Sequence, residues 1–189
     1  MFKKSFKIGI ISLLGVSLFS GCVGGGPKFS KEVRLKINES TKYQIANVKV
    51  ILSTVNPSDV SKQSLYPNEV EMATNIKNNL TEYLKMKDMF CTAKVDCIDI
   101  DVNFDYARQF ILKSNSVSVP HYSYTILVKD NDKVLLTRNS RNKTLEPGFT
   151  RNLKIISSIG SDDVNKEDEV KDIKKILLYI RKYIGSLSN

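Results

Sequence analysis

The stretch that decides the fold is IDIDVNFDY, from Ile98 to Tyr106, in which apolar and polar side chains alternate without a break. Strict alternation indicates a β-strand with one face buried and one face in water. The polar positions begin in the D-x-D-x-N order of an EF-hand loop. Phe104, however, stands where that loop needs glycine. We therefore predict that the row of polar side chains, Asp99, Asp101, Asn103 and Asp105, is the solvent face of a strand and not a calcium site.

A second alternating run follows, with apolar side chains at every other position from Tyr122 to Val128. Residues 130–133 are polar, and Val134 to Thr137 is again suited to a strand. Two such runs around a short polar turn predict a β-hairpin. We predict a loop over residues 139–150, which contain a Pro-Gly pair, and a weak strand or a turn of helix from Leu153 to Ile159.

Toward the N-terminus, Val33 to Ile37 predicts a short first strand and residues 43–55 a longer one. Pro67 suits the first turn of a helix that ends near Lys87 and Asp88. A second helix is predicted at the C-terminus, with acidic residues near its start, basic residues toward its end and Gly185 as its C-cap. Its apolar stripe comprises Val170, Ile173, Ile176, Leu177, Ile180 and Ile184.

The predicted order is therefore β-β-α-β-β-β-α. This order predicts an α+β fold, in which two helices cover one face of an antiparallel sheet of four or five strands. Aromatic residues are concentrated in the central strands: Phe104, Tyr106, Phe110, Tyr122 and Tyr124. Such residues either pack in the core or form an exposed face that binds a partner, and the sequence leaves both interpretations open.

The N-terminus has the pattern of an export signal. Lys3, Lys4 and Lys7 precede an apolar stretch of 12 residues, Ile8 to Phe19, which is too short to span a bilayer. Small residues then precede a cysteine in the order Leu-Phe-Ser-Gly-Cys, residues 18–22. This segment resembles the lipobox of bacterial lipoprotein precursors. The resemblance implies that residues 1–21 are a signal peptide and that Cys22 becomes the lipidated N-terminus.

The same resemblance divides the remaining chain. Residues 22–31, with three consecutive glycines, are expected to be a lipidated flexible tether, and residues 32–189 a single periplasmic domain. In lipoproteins of enterobacterial type, aspartate directly after the cysteine favours retention in the inner membrane. This chain has Val23 at that position, and the absence of aspartate favours the outer membrane. Without residues 1–21 the chain has 26 basic and 20 acidic side chains, a formal charge of +6. Export argues against nucleic acid as the partner of this basic surface.

Cys91 and Cys97 are the remaining thiols. In an oxidising compartment, two cysteines this close predict a disulfide between the end of the first helix and the start of the central strand. Two free buried thiols are the alternative. Their spacing fits no common zinc pattern, and the chain has a single histidine, so we predict no metal site.

We predict no catalytic residue and no cofactor. His121 follows a proline and is expected to mark the bend into a strand. The order of the elements is similar to that of transport-auxiliary lipoproteins, lipopolysaccharide-assembly lipoproteins and penicillin-binding-protein activators. This resemblance implies an accessory or structural component of an envelope complex, not an enzyme. The alternative is a carrier with a lipid or glycan pocket between sheet and helices. A deep apolar cavity would favour the carrier, and an exposed strand edge or aromatic patch the docking protein. The oligomeric state is not predicted.

Overall fold

A computed structural model describes residues 33, 36–55, 64–92, 97–111, 113–159 and 164–188. The elements, in chain order, are β1 (Tyr43–Val55), α1 (Glu69–Met86), β2 (Ile98–Gln109), β3 (His121–Asp130), β4 (Lys133–Thr144), α2 (Phe149–Ser157), α3 (Lys166–Gly185) and a 3₁₀ turn (Ser186–Ser188). The predicted signal peptide, the tether and Cys22 lie outside the described residues.

The described strands form one four-stranded sheet in the order β1-β2-β3-β4. β2, β3 and β4 are antiparallel neighbours, whereas β1 pairs with β2 in parallel. The prediction of an α+β fold is confirmed. The predicted order had five strands where the described sheet has four, and the prediction of a wholly antiparallel sheet is wrong. Parallel neighbours require a long crossover, and α1 provides it between β1 and β2.

The predicted first strand at Val33 to Ile37 is also wrong. Val33 and Lys36 are helical, and the Ile37 N–H donates a hydrogen bond to the Val33 carbonyl at 2.8 Å. Val33 and Ile37 are four residues apart, a spacing that fits a helix as well as alternation fits a strand. A run of five residues is too short for periodicity to decide between the two.

The strand from Ile98 is confirmed and is the centre of the core. Its inward side chains are buried, and Ile100, Val102 and Phe104 are fully inaccessible to solvent. On the opposite face Asp101 pairs with Lys129 at 2.5 Å. The central-strand aromatics are buried as well, each 8% exposed or less: Phe104, Tyr106, Phe110, Tyr122 and Tyr124. These aromatic residues therefore belong to the interior and do not form a binding patch.

Two helices, α1 and α3, pack on the inward face of the sheet. α1 buries the spaced side chains Met72, Ile76, Leu80 and Leu84, and α3 buries Ile176, Leu177, Ile180 and Ile184 in the same core. Asn68 begins α1 through a capping box with Glu71. Pro67 thus lies just before the cap, two positions before the first turn in which the sequence analysis placed it. Ridges of aliphatic side chains on both helices fill the space above the sheet.

Two predictions in the C-terminal third are wrong, and of the two alternatives left open from Leu153 the helix is confirmed. β4 continues to Thr144, where a loop was predicted, because an edge strand needs few apolar residues when β3 provides its backbone partners. The segment from Leu153 is part of a nine-residue helix. Gly185 lies inside the last turn of α3, and Ser186 is the C-cap. A Cβ at Gly185 would collide with the hydroxyl of Tyr83, so close packing of α1 explains the glycine.

Candidate functional site

The two domain cysteines lie together where α1 leads into β2. Cys91 and Cys97 have Cα atoms 5.9 Å apart and are joined as a disulfide in the structure. That separation is typical of disulfides. Cys91 also donates its N–H to the carbonyl of Tyr43, the first residue of β1. The pairing of the two cysteines thus has suitable geometry, and their oxidation in the cell stays a prediction.

Charged and polar side chains, most of them buried, lie together where β2 ends and α3 begins; we call this group the sheet-end cluster. Its members are Tyr66, Arg108, Arg151, Asn165, Asp168, Glu169 and Asp172. Arg108 donates from Nε to one oxygen of Glu169 at 2.7 Å and from Nη2 to the other at 3.1 Å. Neither side chain is more than 5% exposed. A bidentate pair in such surroundings is strong and directional.

Arg108 has two further partners: Tyr66, within the sheet-end cluster, and the backbone of Pro67, beside it. Its Nη2 donates to the carbonyl of Pro67 at 3.0 Å, and its guanidinium lies 5.0 Å from the centre of the Tyr66 ring. The residue thereby connects the end of β2 to the chain just before α1 and to the start of α3. Its neighbour Glu169 is fully buried and fully engaged, which leaves no carboxylate oxygen for a substrate.

The second arginine of the sheet-end cluster belongs to α2. Arg151 forms an ion pair with Asp168, lies 3.4 Å from Asp172, and donates to the Val117 carbonyl at 3.0 Å. Among the α2 side chains that the structure describes, Arg151 alone is buried, with 8% of its surface exposed. One cationic side chain therefore fastens this helix to the rest of the domain.

Asn165 completes the sheet-end cluster by acting as a peptide-like bridge. Its Oδ1 accepts from the Val117 N–H at 2.7 Å and from the Tyr66 hydroxyl at 3.0 Å. Its Nδ2 donates to the Val117 carbonyl at 2.9 Å. Although it is the N-cap residue of α3, its side chain makes no capping bond. The amide instead joins three segments that are distant in sequence.

Burial governs the protonation of the sheet-end cluster. Desolvation raises the pKa of Glu169, and the hydrogen bond and charge of Arg108 partly oppose that rise. Desolvation also raises the pKa of Asp172, with Arg151 and Lys175 opposing it. Perturbed carboxylates often mark active sites. Here every one is paired with a buried arginine and closed to solvent, so the arrangement can hold segments together but offers no accessible acid or base.

The remaining chemical candidates are weak. His121 opens β3, as predicted, and is exposed; its Nδ1 lies 2.7 Å from the Thr144 hydroxyl. Within the described ranges no group of histidine, cysteine or acidic side chains could hold a metal ion. In the same part of the chain, no helix has both the length and the apolar character required to cross a bilayer.

The outer face of α2 is apolar and uncovered by the described residues. Leu153 is 51% exposed, Ile156 64%, and Ile159, just beyond the helix, 60%. The opposite face carries Arg151 and Lys154, which point toward the acidic start of α3; the Lys154 ammonium lies 3.7 Å from Asp168. The helix is thus reversed with respect to an ordinary surface helix, since its charged face is turned to the protein and its apolar face to the outside.

A groove of about 420 Å³ separates α1 from α3. Met72 and Leu177 lie in it, and Asn75, Asn78 and Lys174 stand along it. The groove opens between the two helices, whereas the space between helices and sheet, where the carrier alternative placed its pocket, is filled with buried side chains.

No family model, curated protein or solved structure matches this chain. The sequence analysis also missed the sheet-end cluster. It assigned the acidic residues at the start of α3 to the helix dipole, while two of them, Asp168 and Glu169, are buried, as is Asp172 in the next turn. A signal was present: Arg108 continues the inward alternation of β2, and an arginine at such a position requires a buried anion.

Proposed function

We propose that this chain is an outer-membrane lipoprotein, anchored through acylated Cys22, that serves as an accessory or structural component of a cell-envelope complex. It acts by binding a protein partner and not by catalysis. The observation that carries the docking function is the exposed apolar face of α2. The lipobox-like order of residues 18–22 supports the anchor.

Energetics support a role for the α2 face in binding. Burying one aliphatic side chain of this size contributes about 1.5–3 kcal/mol relative to leaving it exposed. Leu153, Ile156 and Ile159 are each somewhat more than half exposed, so their remaining burial would contribute roughly 3 kcal/mol in total. That amount is a sizeable part of a micromolar interaction. A partner surface that covers this face would also explain why its apolar residues point outward.

The position of α2 favours a protein over the anchoring membrane. The chain enters the described domain near the turn between β3 and β4, where Lys36 pairs with Asp130. α2 is fastened at the opposite end of β3, through the carbonyls of Val117 and Ser118. Ten residues of strand separate the two ends, or roughly 34 Å. A domain tethered from its N-terminal side therefore presents α2 away from its point of attachment.

The anchor would increase the effect of a modest interface. One acyl chain holds a protein reversibly, and the two or three chains of a mature lipoprotein hold it firmly. A tethered domain meets membrane neighbours at a high effective concentration, so moderate affinity suffices.

Mass spectrometry of the mature N-terminal peptide tests the anchor. We expect a lipid-modified Cys22 at position one, and Cys22→Ser should leave the chain unprocessed or free in the periplasm. An unmodified N-terminus at another residue would refute the lipoprotein assignment.

Crosslinking in intact cells, followed by detergent purification, tests the docking. The wild-type chain should recover a reproducible envelope protein, and the pair Leu153→Ser/Ile156→Ser should lose it. Leu178→Ser is the matched control, because Leu178 on α3 is exposed to a similar degree, 59%, on another surface. Equal loss in both variants, or none in either, contradicts a specific role for α2.

The groove between α1 and α3 supports a second candidate, a carrier of lipid or glycan. Its apolar floor and amide-bearing rim suit a ligand with both kinds of surface. Native mass spectrometry of the purified protein distinguishes the two. Suppose that a stoichiometric lipid or sugar is found and is lost on Asn75→Trp, which would obstruct the groove from its exposed rim. Together with no recovered partner, that result would replace the docking proposal.

A further inference from the structure

The sheet has one open edge within the described part of the chain. β4 is the last strand in the order β1-β2-β3-β4 and pairs with β3 on one side alone. Nine of its 12 residues are exposed. Every second residue of such a strand directs its N–H and C=O away from the sheet, where they are available to another chain.

At the opposite edge of the sheet, side chains bond to backbone groups of the edge strand, β1. On β1 the Leu52 N–H donates to the carboxylate of Glu69 in α1 at 2.8 Å. The Ala46 carbonyl accepts from the ammonium of Lys77, also in α1, at 3.0 Å. Side chains of α1 thus occupy backbone groups of β1. Among the described residues no element does the same for β4.

The open edge has a regular central section. From Tyr124 opposite Ser140 to Val128 opposite Leu136, the β3–β4 register runs without interruption, and it shifts on either side. Asn142, beyond this section, has φ 48°. Irregularities of this kind limit how far an added strand can extend. The section available for pairing is therefore Leu136 to Ser140, five residues long.

The charge of β4 has a single sign. The strand contains Lys133, Arg138, Arg141 and Lys143 and no acidic residue. Arg138 lies within the regular section and is exposed, with its guanidinium 5.8 Å from the ring of Tyr183. Charged residues on an edge oppose pairing between identical copies of a chain. The same charges attract an acidic strand, because opposite charges directly across two strands are favourable.

From these features we propose that the β4 edge binds an extended, acidic segment of a partner protein as a fifth strand of the sheet. This inference deepens the proposed docking function and rests on it, but it concerns a surface separate from α2. Backbone hydrogen bonds along Leu136 to Ser140 provide the affinity, and the basic side chains select the sequence.

The proposal is tested on the purified mature chain in detergent with the peptide acetyl-Thr-Glu-Val-Glu-Val-Glu-Thr-amide as probe. We expect the peptide to bind at millimolar concentration or below and to slow hydrogen exchange of outward amides within residues 136–140. The same peptide with lysine in place of each glutamate should not bind. Raising the salt concentration should weaken the binding, since salt screens the charge attraction that adds to the backbone hydrogen bonds at an exposed strand.

Two charge reversals identify the edge. Arg138→Glu should weaken peptide binding about tenfold, because a favourable cross-strand pair becomes a repulsive one. Lys49→Glu, on the exposed surface of β1, carries the same charge change at the other edge and should alter binding less than about twofold, because that edge is not the site. An amide spectrum that is unchanged away from the substituted strand, β4 for Arg138→Glu and β1 for Lys49→Glu, would show that each variant is folded.

Absence of binding, protection of amides outside β4, or equal binding by the lysine peptide would overturn the proposal. An equal effect of the two reversals would overturn it too. None of these results bears on partner recovery through Leu153 and Ile156, so failure at β4 remains distinguishable from failure of the docking function.

Discussion

Removing Glu169 should be among the most damaging single changes to this fold. Glu169→Ala leaves Arg108 buried, 4% exposed, without its anion. Arginine cannot release its proton at any pH that proteins tolerate. Breaking a buried ion pair from one side costs about 3–5 kcal/mol, a large part of the 5–15 kcal/mol that stabilises a typical domain. The cost should therefore be large at pH 7, and it should be no smaller at pH 4.5, because the raised pKa of Glu169 makes the wild type relatively more stable as the pH falls.

The reverse change should behave differently, because a carboxyl group can be neutralised. Arg108→Met leaves Glu169 without its cation, and the variant escapes the buried charge by protonating it. Protonating a carboxyl with an ordinary pKa of 4.5 at pH 7 costs about 3.4 kcal/mol. That figure limits the penalty from the unpaired charge at pH 7, and the penalty should fall below about 1 kcal/mol near pH 4.5.

Urea unfolding followed by circular dichroism measures both variants. The double variant Arg108→Met/Glu169→Leu is the control; it removes both charges and should lie within about 1.5 kcal/mol of the wild type. A cost below about 1 kcal/mol for Glu169→Ala at pH 7 would contradict the reasoning, since the ion pair would then not be buried in solution. A cost of Arg108→Met that is equal at the two pH values would contradict it as well.

Four smaller predictions use the same unfolding assay. Asn165→Ala should cost about 2 kcal/mol, because it leaves the buried Val117 N–H without its acceptor while the Val117 carbonyl keeps Arg151, and a loss under about 0.5 kcal/mol would refute the bridge. Gly185→Ala should destabilise by about 1 kcal/mol, and adding Tyr83→Phe should relieve that cost; no relief would refute the close contact. The raised pKa of Asp172 makes its ionisation unfavourable in the folded state, so the stability of Asp172→Asn relative to the wild type should rise from pH 4 to pH 7, and a flat difference would contradict this. Replacing both disulfide cysteines by serine should cost ~2.4 kcal/mol for a loop of about seven residues, whereas two titratable thiols in the unreduced wild type would show that no bridge exists.

The sequence predicted elements whose periodicity is long and undisturbed. The alternation from Ile98 extends over nine residues and the apolar stripe of the last helix over more than three turns, and both elements formed where expected. The errors fall where the pattern is short or where neighbours determine the outcome. β4 contains few apolar residues, because it lies at an edge, and the pairing direction of β1 depends on the path of α1 and not on its own side chains.

The sheet-end cluster could not be predicted from the sequence for a different reason. Alternation placed Arg108 on the inward face, but only tertiary structure reveals that Glu169, 61 residues later, lies opposite it. The exposed face of α2 was hidden from sequence for a related reason. Leu153 and Ile156 fit an amphipathic helix, and periodicity cannot say that Arg151 turns its polar face inward.

Site-specific photocrosslinking in living cells tests the central claim, that a tethered domain binds an envelope protein through α2. A photoreactive residue at position 156 should give one discrete protein adduct, and the same residue at position 178 on α3 should give none. Leu153→Ser should reduce the adduct at position 156, since it removes a neighbouring apolar contact. Adducts of equal yield at both positions, or adducts at position 156 that consist of lipid alone, would contradict the claim.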